Sequence, residues 1–252
     1  MAIKDLSTEE KQTIINHLED LRKTLVISLT AITIASVFAF YFNEQILSII
    51  IQPLSALNEQ LIVTGVTEAF FVKLKLSFLA GFILSFPIVA WSIWRFFQPA
   101  LYENERKYIY FLLPISIALF AGGILFSYFG ILHLVLNFFI YIAGENLETM
   151  FKVDQYVSFV IAFTLPFGIV FELPVVVYFL TKMGIVTREM LAKNRKYALL
   201  IIVILAAAFT PGPDPFSQIL MAGPVYLLYE VSIIVAKYAD PQRKKKKSAE
   251  DE

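Results

Sequence analysis

The sequence predicts an all-α, polytopic membrane protein of six transmembrane helices, the fifth and sixth short, with both termini cytoplasmic. Three observations carry that prediction. Hydrophobic residues make up 58% of the 252 residues and charged residues only 17%, whereas soluble domains are roughly 45–50% apolar. The apolar residues gather into long runs separated by short polar segments. The basic residues fall almost wholly into alternate segments between those runs.

A helix that spans a bilayer needs about 20 mostly apolar residues. Four runs meet this length: roughly Thr24–Phe42, Phe71–Trp94, Tyr108–Leu132 and Tyr156–Thr181. A fifth, Tyr197–Phe209, has 13 residues, and a sixth covers about Phe216–Ala236. Between the last two, Thr210-Pro211-Gly212-Pro213-Asp214-Pro215 cannot continue a helix. Thirteen residues give a helix of about 20 Å against a hydrocarbon core of roughly 30 Å. Either the bilayer thins there or the last two runs form a re-entrant hairpin.

All but three of the 21 Lys and Arg lie before Thr24, in Arg95–Lys107, in Lys182–Lys196 or after the last run. The exceptions are Lys73, Lys75 and Lys152. Lys and Arg in short loops mark the cytoplasmic side, which fixes the expected orientation, and Trp91 and Trp94 fall where an interfacial aromatic belt would lie. One membrane domain, residues 1–238, is expected, opening with an amphipathic helix at about 7–23. The tail, 239–252, is polybasic at Arg243–Lys247, then acidic, and is expected to be disordered and to contact anionic lipid.

Pro87, Pro114, Pro166, Pro174 and Pro224 sit inside apolar runs. Each removes a backbone donor and bends its helix. Together they predict bent helices around a concavity; simple kinking for packing is the alternative for any one of them. No internal repeat is visible, so an inverted-repeat transporter is not supported.

Several function classes are excluded. The net charge is zero, so no bulk field draws nucleic acid, and the absence of cysteine removes disulfides and thiol chemistry. His17 and His133 have no metal-ligand spacing, and no phosphate-binding loop is present. No enzyme activity, metal or cofactor is expected. The polar N-terminus reads as neither signal nor transit peptide.

Candidate functional residues lie at four places. Ser7 with Glu10 reads as a capping box. Ile14, Leu18, Leu21 and Leu25 then recur at helical spacing, which predicts an amphipathic helix along the cytoplasmic interface. Its polar residues, His17, Glu19, Asp20, Arg22 and Lys23, read most simply as a solvated face with a Glu19–Lys23 pair. In the loop after the second run, Glu103 and Glu105 follow Pro99, as in a capped first turn. The sharper alternative is that Asp20 and Glu105 form an acidic pocket for a guanidinium-bearing ligand. Glu172 lies inside the fourth run, where an acid costs roughly 2.5 kcal/mol or more, so it should face protein or water. A structural hydrogen-bond anchor is its bland reading. Thr210 and Gln218 flank the proline-rich turn and suit a partner helix; satisfying turn backbone is the plainer role for Thr210.

These motifs together resemble the TatC family, the receptor subunit of the twin-arginine protein translocase. His17-Leu18-Glu19-Asp20-Leu21-Arg22 resembles its H-L-x-E-L-R motif. Phe96, Pro99-Ala100-Leu101-Tyr102 and Glu105-Arg106 resemble its F-x-x-P-A-L-Y-x-x-E-R loop. Phe171-Glu172-Leu173-Pro174 is similar to its F-E-x-P. Thr210-Pro211-Gly212-Pro213-Asp214 with Phe216-Ser217-Gln218 is similar to its T-P-P-D and F-S-Q turn. Two departures stand out: Asp20 replaces the family's glutamate, and the last turn is one residue longer.

The resemblance implies a cupped six-helix fold in the inner (plasma) membrane and recognition of paired arginines in the signal peptides of folded cargo proteins. By motif position, Asp20 and Glu105 would meet the arginines, with Phe96 and Arg22 beside them and Glu19 and Glu103 completing the acidic set. Glu172 would face the cup. Thr210 and Gln218 would lie where single-helix TatA and TatB type subunits dock, with further copies of the chain in the assembly and the proton-motive force driving export. The rival reading is a proton-coupled secondary transporter of a small solute using Glu172, for which no second charge at membrane depth is read as a partner.

Overall fold

The computed structural model describes residues 8–57, 59–98, 107–143, 150–210 and 214–239. Apolar runs without glycine or proline propagate as helix, and the first is the plainest case. From Thr8 to Phe40 nothing interrupts the chain, and α1 is one rod of 33 residues. The helix expected at about 7–23 is continuous with the first apolar run: its described part forms the first turns of α1. Ser7 of the expected capping box lies outside the described residues, as does the tail from 240 onward.

α2 (Asn43–Ser55) follows at the far end of α1, where the apolar pattern predicts no separate helix. β1 (Leu61–Ile62) then leads into α3 (Glu68–Phe97). The third run forms α4 (Lys107–Leu125), a π-helical turn at Phe126–Ile131, and α5 (Leu132–Ala143). β2 (Phe151–Lys152) pairs in parallel with β1, placing Leu61 opposite Phe151. The fourth run is broken into α6 (Val153–Val170) and α7 (Leu173–Lys182). Pro174 explains the break: it has no N–H for the carbonyl four residues back, and its ring disfavours helix in the residue before it. Pro87, Pro114, Pro166 and Pro224 stay within helices. α8 (Arg188–Lys193), α9 (Arg195–Phe209) and α10 (Pro215–Ala239) complete the chain.

Among the described residues, five stretches are long and apolar enough to cross a membrane: His17–Phe40, Glu68–Phe97, Tyr110–Ile142, Val153–Lys182 and Pro215–Ala239. The sixth predicted helix is thus full length, because helix extends beyond its apolar run to Ala239; only α9 is short. At 15 residues it measures about 22 Å.

Two faces organise the molecule. On one, the terminal face, the start of α1 and the ends of α3 and α7 come together. On the other, a polar network ties the connections down. Asn43 donates to Ser77 Oγ at 2.8 Å, and the Tyr156 hydroxyl donates to the Ile50 carbonyl at 2.8 Å. The Glu68 carboxylate accepts from the backbone N–H groups of Thr64, Gly65 and Asp154, while Lys75 donates to Asp154 and Ser158. Lys75, one of the three basic residues on the non-basic side of the sequence, is thereby paired.

Helix contacts in lipid depend on close packing, since lipid is as apolar as a leucine side chain. The half-buried and buried face of α1 reads Thr24, Ser28, Ala31, Ile32, Ala35, Ser36 and Ala39, mostly small residues at helical spacing. That face packs on α3. At the crossing, a Cβ on Gly81 would stand 2.5 Å from the Ser36 backbone nitrogen. The rest of α1 is uncovered, with Leu18, Leu21 and Leu25 exposed. Sequence periodicity alone takes these leucines as the side laid on a surface. In a membrane the apolar side faces lipid and the small, polar side faces the neighbouring helix. Gly123 makes a similar approach between α4 and α6, where a Cβ would stand 2.6 Å from the Phe167 carbonyl.

Candidate functional site: the terminal face and the acid-bearing cavity

α1 and α3 run antiparallel from the Gly81–Ser36 crossing, so their register follows from it. Fifteen residues along α3 from Gly81 lies Phe96, and fifteen residues back along α1 from Ser36 lies Leu21. Asp20 therefore sits at the level of the α3 terminus. It also continues the face made by Thr24 and Ser28 and is half-buried, while residues 17–19 and 21–23 are exposed. Three residues earlier, the His17 ring stacks on Phe96, centroids 4.5 Å apart and planes 29° from parallel. The first two motifs, some eighty residues apart in sequence, thus meet. The expected Glu19–Lys23 pair forms at 3.0 Å with both side chains largely exposed. Arg22 is exposed on the same turn. Glu103 and Glu105 lie outside the described residues.

A continuous set of rings leads inward from this contact. Phe96 meets Phe97 at 5.2 Å, Phe97 meets Phe179 of α7 at 5.5 Å, and Phe179 meets Trp94 at 5.1 Å. Trp94 is buried and its indole N–H donates to Ser116 Oγ of α4 at 3.3 Å. Of the two tryptophans expected in an interfacial belt, only Trp91 is exposed, beside Tyr110. Trp94 is a correction: its N–H has a protein partner, so the ring packs inside.

Trp94 and Ser116 also line a cavity of about 440 Å³, whose other walls include Phe86, Ala90, Val176 and Glu172. Glu172 stands at the α6–α7 break, where its carbonyl accepts from the N–H groups of Val175 and Val176. Its Oε1 is buried with no hydrogen-bond partner among the described residues. The arrangement places a carboxylate in a mostly apolar hollow.

Thr210 and Gln218 both bond within the chain. The Thr210 hydroxyl donates to the Ala206 carbonyl, closing the end of α9. The Gln218 amide donates to the Val203 carbonyl at 3.0 Å, clipping α10 to α9. Asp214 accepts from the Ser217 N–H and caps α10. Sequence reasoning missed a further clip: Arg195 makes a two-pronged bond to Glu230 (2.7 and 2.9 Å), and Tyr226 donates to the same carboxylate. The signal was present, since Glu230 is a second acid inside an apolar run; it answers Arg195 rather than Glu172. Among the described residues no group of three or more potential metal ligands occurs.

Residues 16–224 match the family model of the Sec-independent protein translocase protein TatC. The chain is 47% identical to the TatC protein of Carboxydothermus hydrogenoformans over 234 residues, covering 93% of this chain and 96% of that protein. It is 40% identical to TatC of Aquifex aeolicus, covering 90% and 96%, and 36% identical to TatCd of Bacillus subtilis, covering 96% and 98%. A crystal structure of the twin-arginine translocase receptor TatC superposes with a TM-score of 0.82 at 40% identity, covering 88% of this chain and 99% of that one.

Proposed function

The chain belongs to the TatC family of Sec-independent protein translocase proteins, and on that premise we propose that it is the signal-peptide receptor of its translocase. As a multi-pass membrane component of a protein translocase, it would sit in the inner membrane with both termini cytoplasmic. Paired arginines of a cargo signal peptide would be held on the terminal face by Asp20 and Glu105, flanked by Phe96 and Arg22, with Glu19 and Glu103 nearby. TatA/TatB-type single-helix subunits would dock along α9 and α10 near Thr210 and Gln218, and anionic lipid would meet the basic tail.

The observation that carries this reading is the His17–Phe96 stack, because it joins the two separated motifs that the family resemblance assigns to one peptide site. A half-buried carboxylate about one helical turn from a ring contact suits a guanidinium, which takes charge-assisted hydrogen bonds and stacks on ring faces. The same side chain as lysine offers a point charge without the planar fork.

The test is the affinity of the purified protein in lipid nanodiscs for an Arg-Arg signal peptide and its Lys-Lys counterpart. Hydrogen bonds to charged groups contribute roughly 1.5–3 kcal/mol each, so the Lys-Lys peptide should bind about ten-fold or more weakly. Glu105→Ala and Asp20→Asn should each shrink that preference. Equal affinities for both peptides in the folded protein would overturn the receptor reading. The rival, a proton-coupled solute transporter, draws on Glu172 at a helix break; a single break without a repeat gives it weaker support.

A further inference from the structure

The part of α1 that precedes Thr24 extends beyond the small-residue face that packs on α3. Leu18 and Leu21 are exposed there, and Glu19 and Lys23 pair with each other. Among the described residues, the His17–Phe96 stack is the one ring contact, hydrogen bond or ion pair that ties this extension to α3. Asp20 lies between the last packed position, Thr24, and the stack. It is therefore held at both ends, by backbone packing on one side and by ring contact on the other. Phe96 is itself braced edge-on by Phe97, which rests on Phe179. The stack thus transfers the rigidity of the α3–α7 contact to the turn of α1 around His17.

We propose that His17 is a positioning residue: by stacking face-on against Phe96 it orders the first turns of α1 and fixes Asp20 at the end of α3, and so sets the affinity for paired guanidinium groups. The proposal rests on the receptor reading for what is positioned, and on the ring geometry for how. His17 need not touch the ligand. A helix end with few contacts frays, and a carboxylate that samples many heights loses the geometric advantage of a preorganised site. Removing one aromatic pair changes an equilibrium by roughly 2- to 13-fold, and a positioning effect on the peptide should fall within that range.

The experiment uses His17→Ala and His17→Phe in the full chain, in nanodiscs, with two readouts. The first is the dissociation constant of a fluorescent Arg-Arg signal peptide. The second is the distance distribution between spin labels at Leu18→Cys and Arg95→Cys; the chain has no native cysteine, so both labels are unambiguous. His17→Ala should weaken binding within the stated range and broaden the distribution. His17→Phe, which keeps a ring for Phe96, should restore both. Unchanged affinity and width in His17→Ala would overturn the proposal. So would a His17→Phe protein as weak as His17→Ala, because the imidazole would then act by a polar contact and not by stacking. Failure of the unaltered protein to bind peptide would overturn the receptor reading. The label distances would still decide whether the stack orders the helix.

Discussion

Gly81→Ala puts the α1–α3 crossing to the test. The new Cβ would stand 2.2 Å from Ser36 Oγ, 2.5 Å from Ser36 N and 2.6 Å from Ser36 Cα. Non-bonded carbons rest about 3.5–4.0 Å apart, so the two backbones must separate by roughly 1 Å. Overpacking of this kind costs about 1–3 kcal/mol. The upper part of that range applies, because two of the three atoms are backbone and cannot rotate aside. Thermal unfolding of the nanodisc-embedded protein should show a clear fall in melting temperature. Adding Ser36→Gly removes the hydroxyl and Cβ but leaves N and Cα in place, so the double variant should remain close to Gly81→Ala. A full rescue by Ser36→Gly, or an unchanged melting temperature in Gly81→Ala, would refute the backbone-contact argument. The same separation swings the α1 extension, so Arg-Arg peptide affinity should fall in parallel with stability.

The α4–α6 approach gives an ordering: Gly123→Ala should destabilise more than Gly168→Ala. The first Cβ meets the Phe167 carbonyl at 2.6 Å, whereas the second meets only side-chain atoms of Ile124 and Phe120 at 2.8 Å, which yield more readily than backbone; melting curves in the reverse order would contradict this. Arg195→Gln and Glu230→Gln should each lower the melting temperature, and the double variant should be no worse than the worse single, since one two-pronged bond is lost once. Strict additivity would mean that the two side chains act separately. Glu172→Gln should leave Arg-Arg peptide affinity unchanged, because Glu172 lines the inner cavity while the proposed contacts lie on the terminal face; a loss of binding would move the peptide site inward.

Much of the architecture is legible because lipid imposes a simple rule: a spanning backbone must satisfy itself as helix, and its surface must be apolar. Run length locates every long helix, and the Pro174 break is foreshadowed by the residue itself. Other features depend on partners that sequence spacing does not reveal. The π-helical turn at Phe126–Ile131 has no clear marker except Gly130 within it. Glu68 and Asp154, 86 residues apart, meet beside the pairing of β1 with β2. At the candidate site, spacing groups the polar residues of α1 and assigns His17 to a solvated face, where it is exposed, but does not reveal that its ring also lies on Phe96. The clue is the run of small residues at Thr24, Ser28, Ala31 and Ala35, which marks the packed side of α1 and carries Asp20 with it.

The small-residue face also links a fold residue to a distant residue of the proposed site. In water, two helices are pressed together along a broad apolar stripe that tolerates small slips. In lipid no such pressure exists, and the closest backbone approach fixes both rotation and register. Here that approach is Gly81 on Ser36, and Asp20 lies sixteen residues from Ser36, about 24 Å along the helix. A rotation of one residue at the crossing would turn Asp20 by about 100° and carry it off the face that meets the end of α3. Aspartate at position 20 is a short side chain, which leaves little reach to absorb such an error. The ring stack at His17 then corrects, beside Asp20, what a single crossing near the other end of the helix leaves loose.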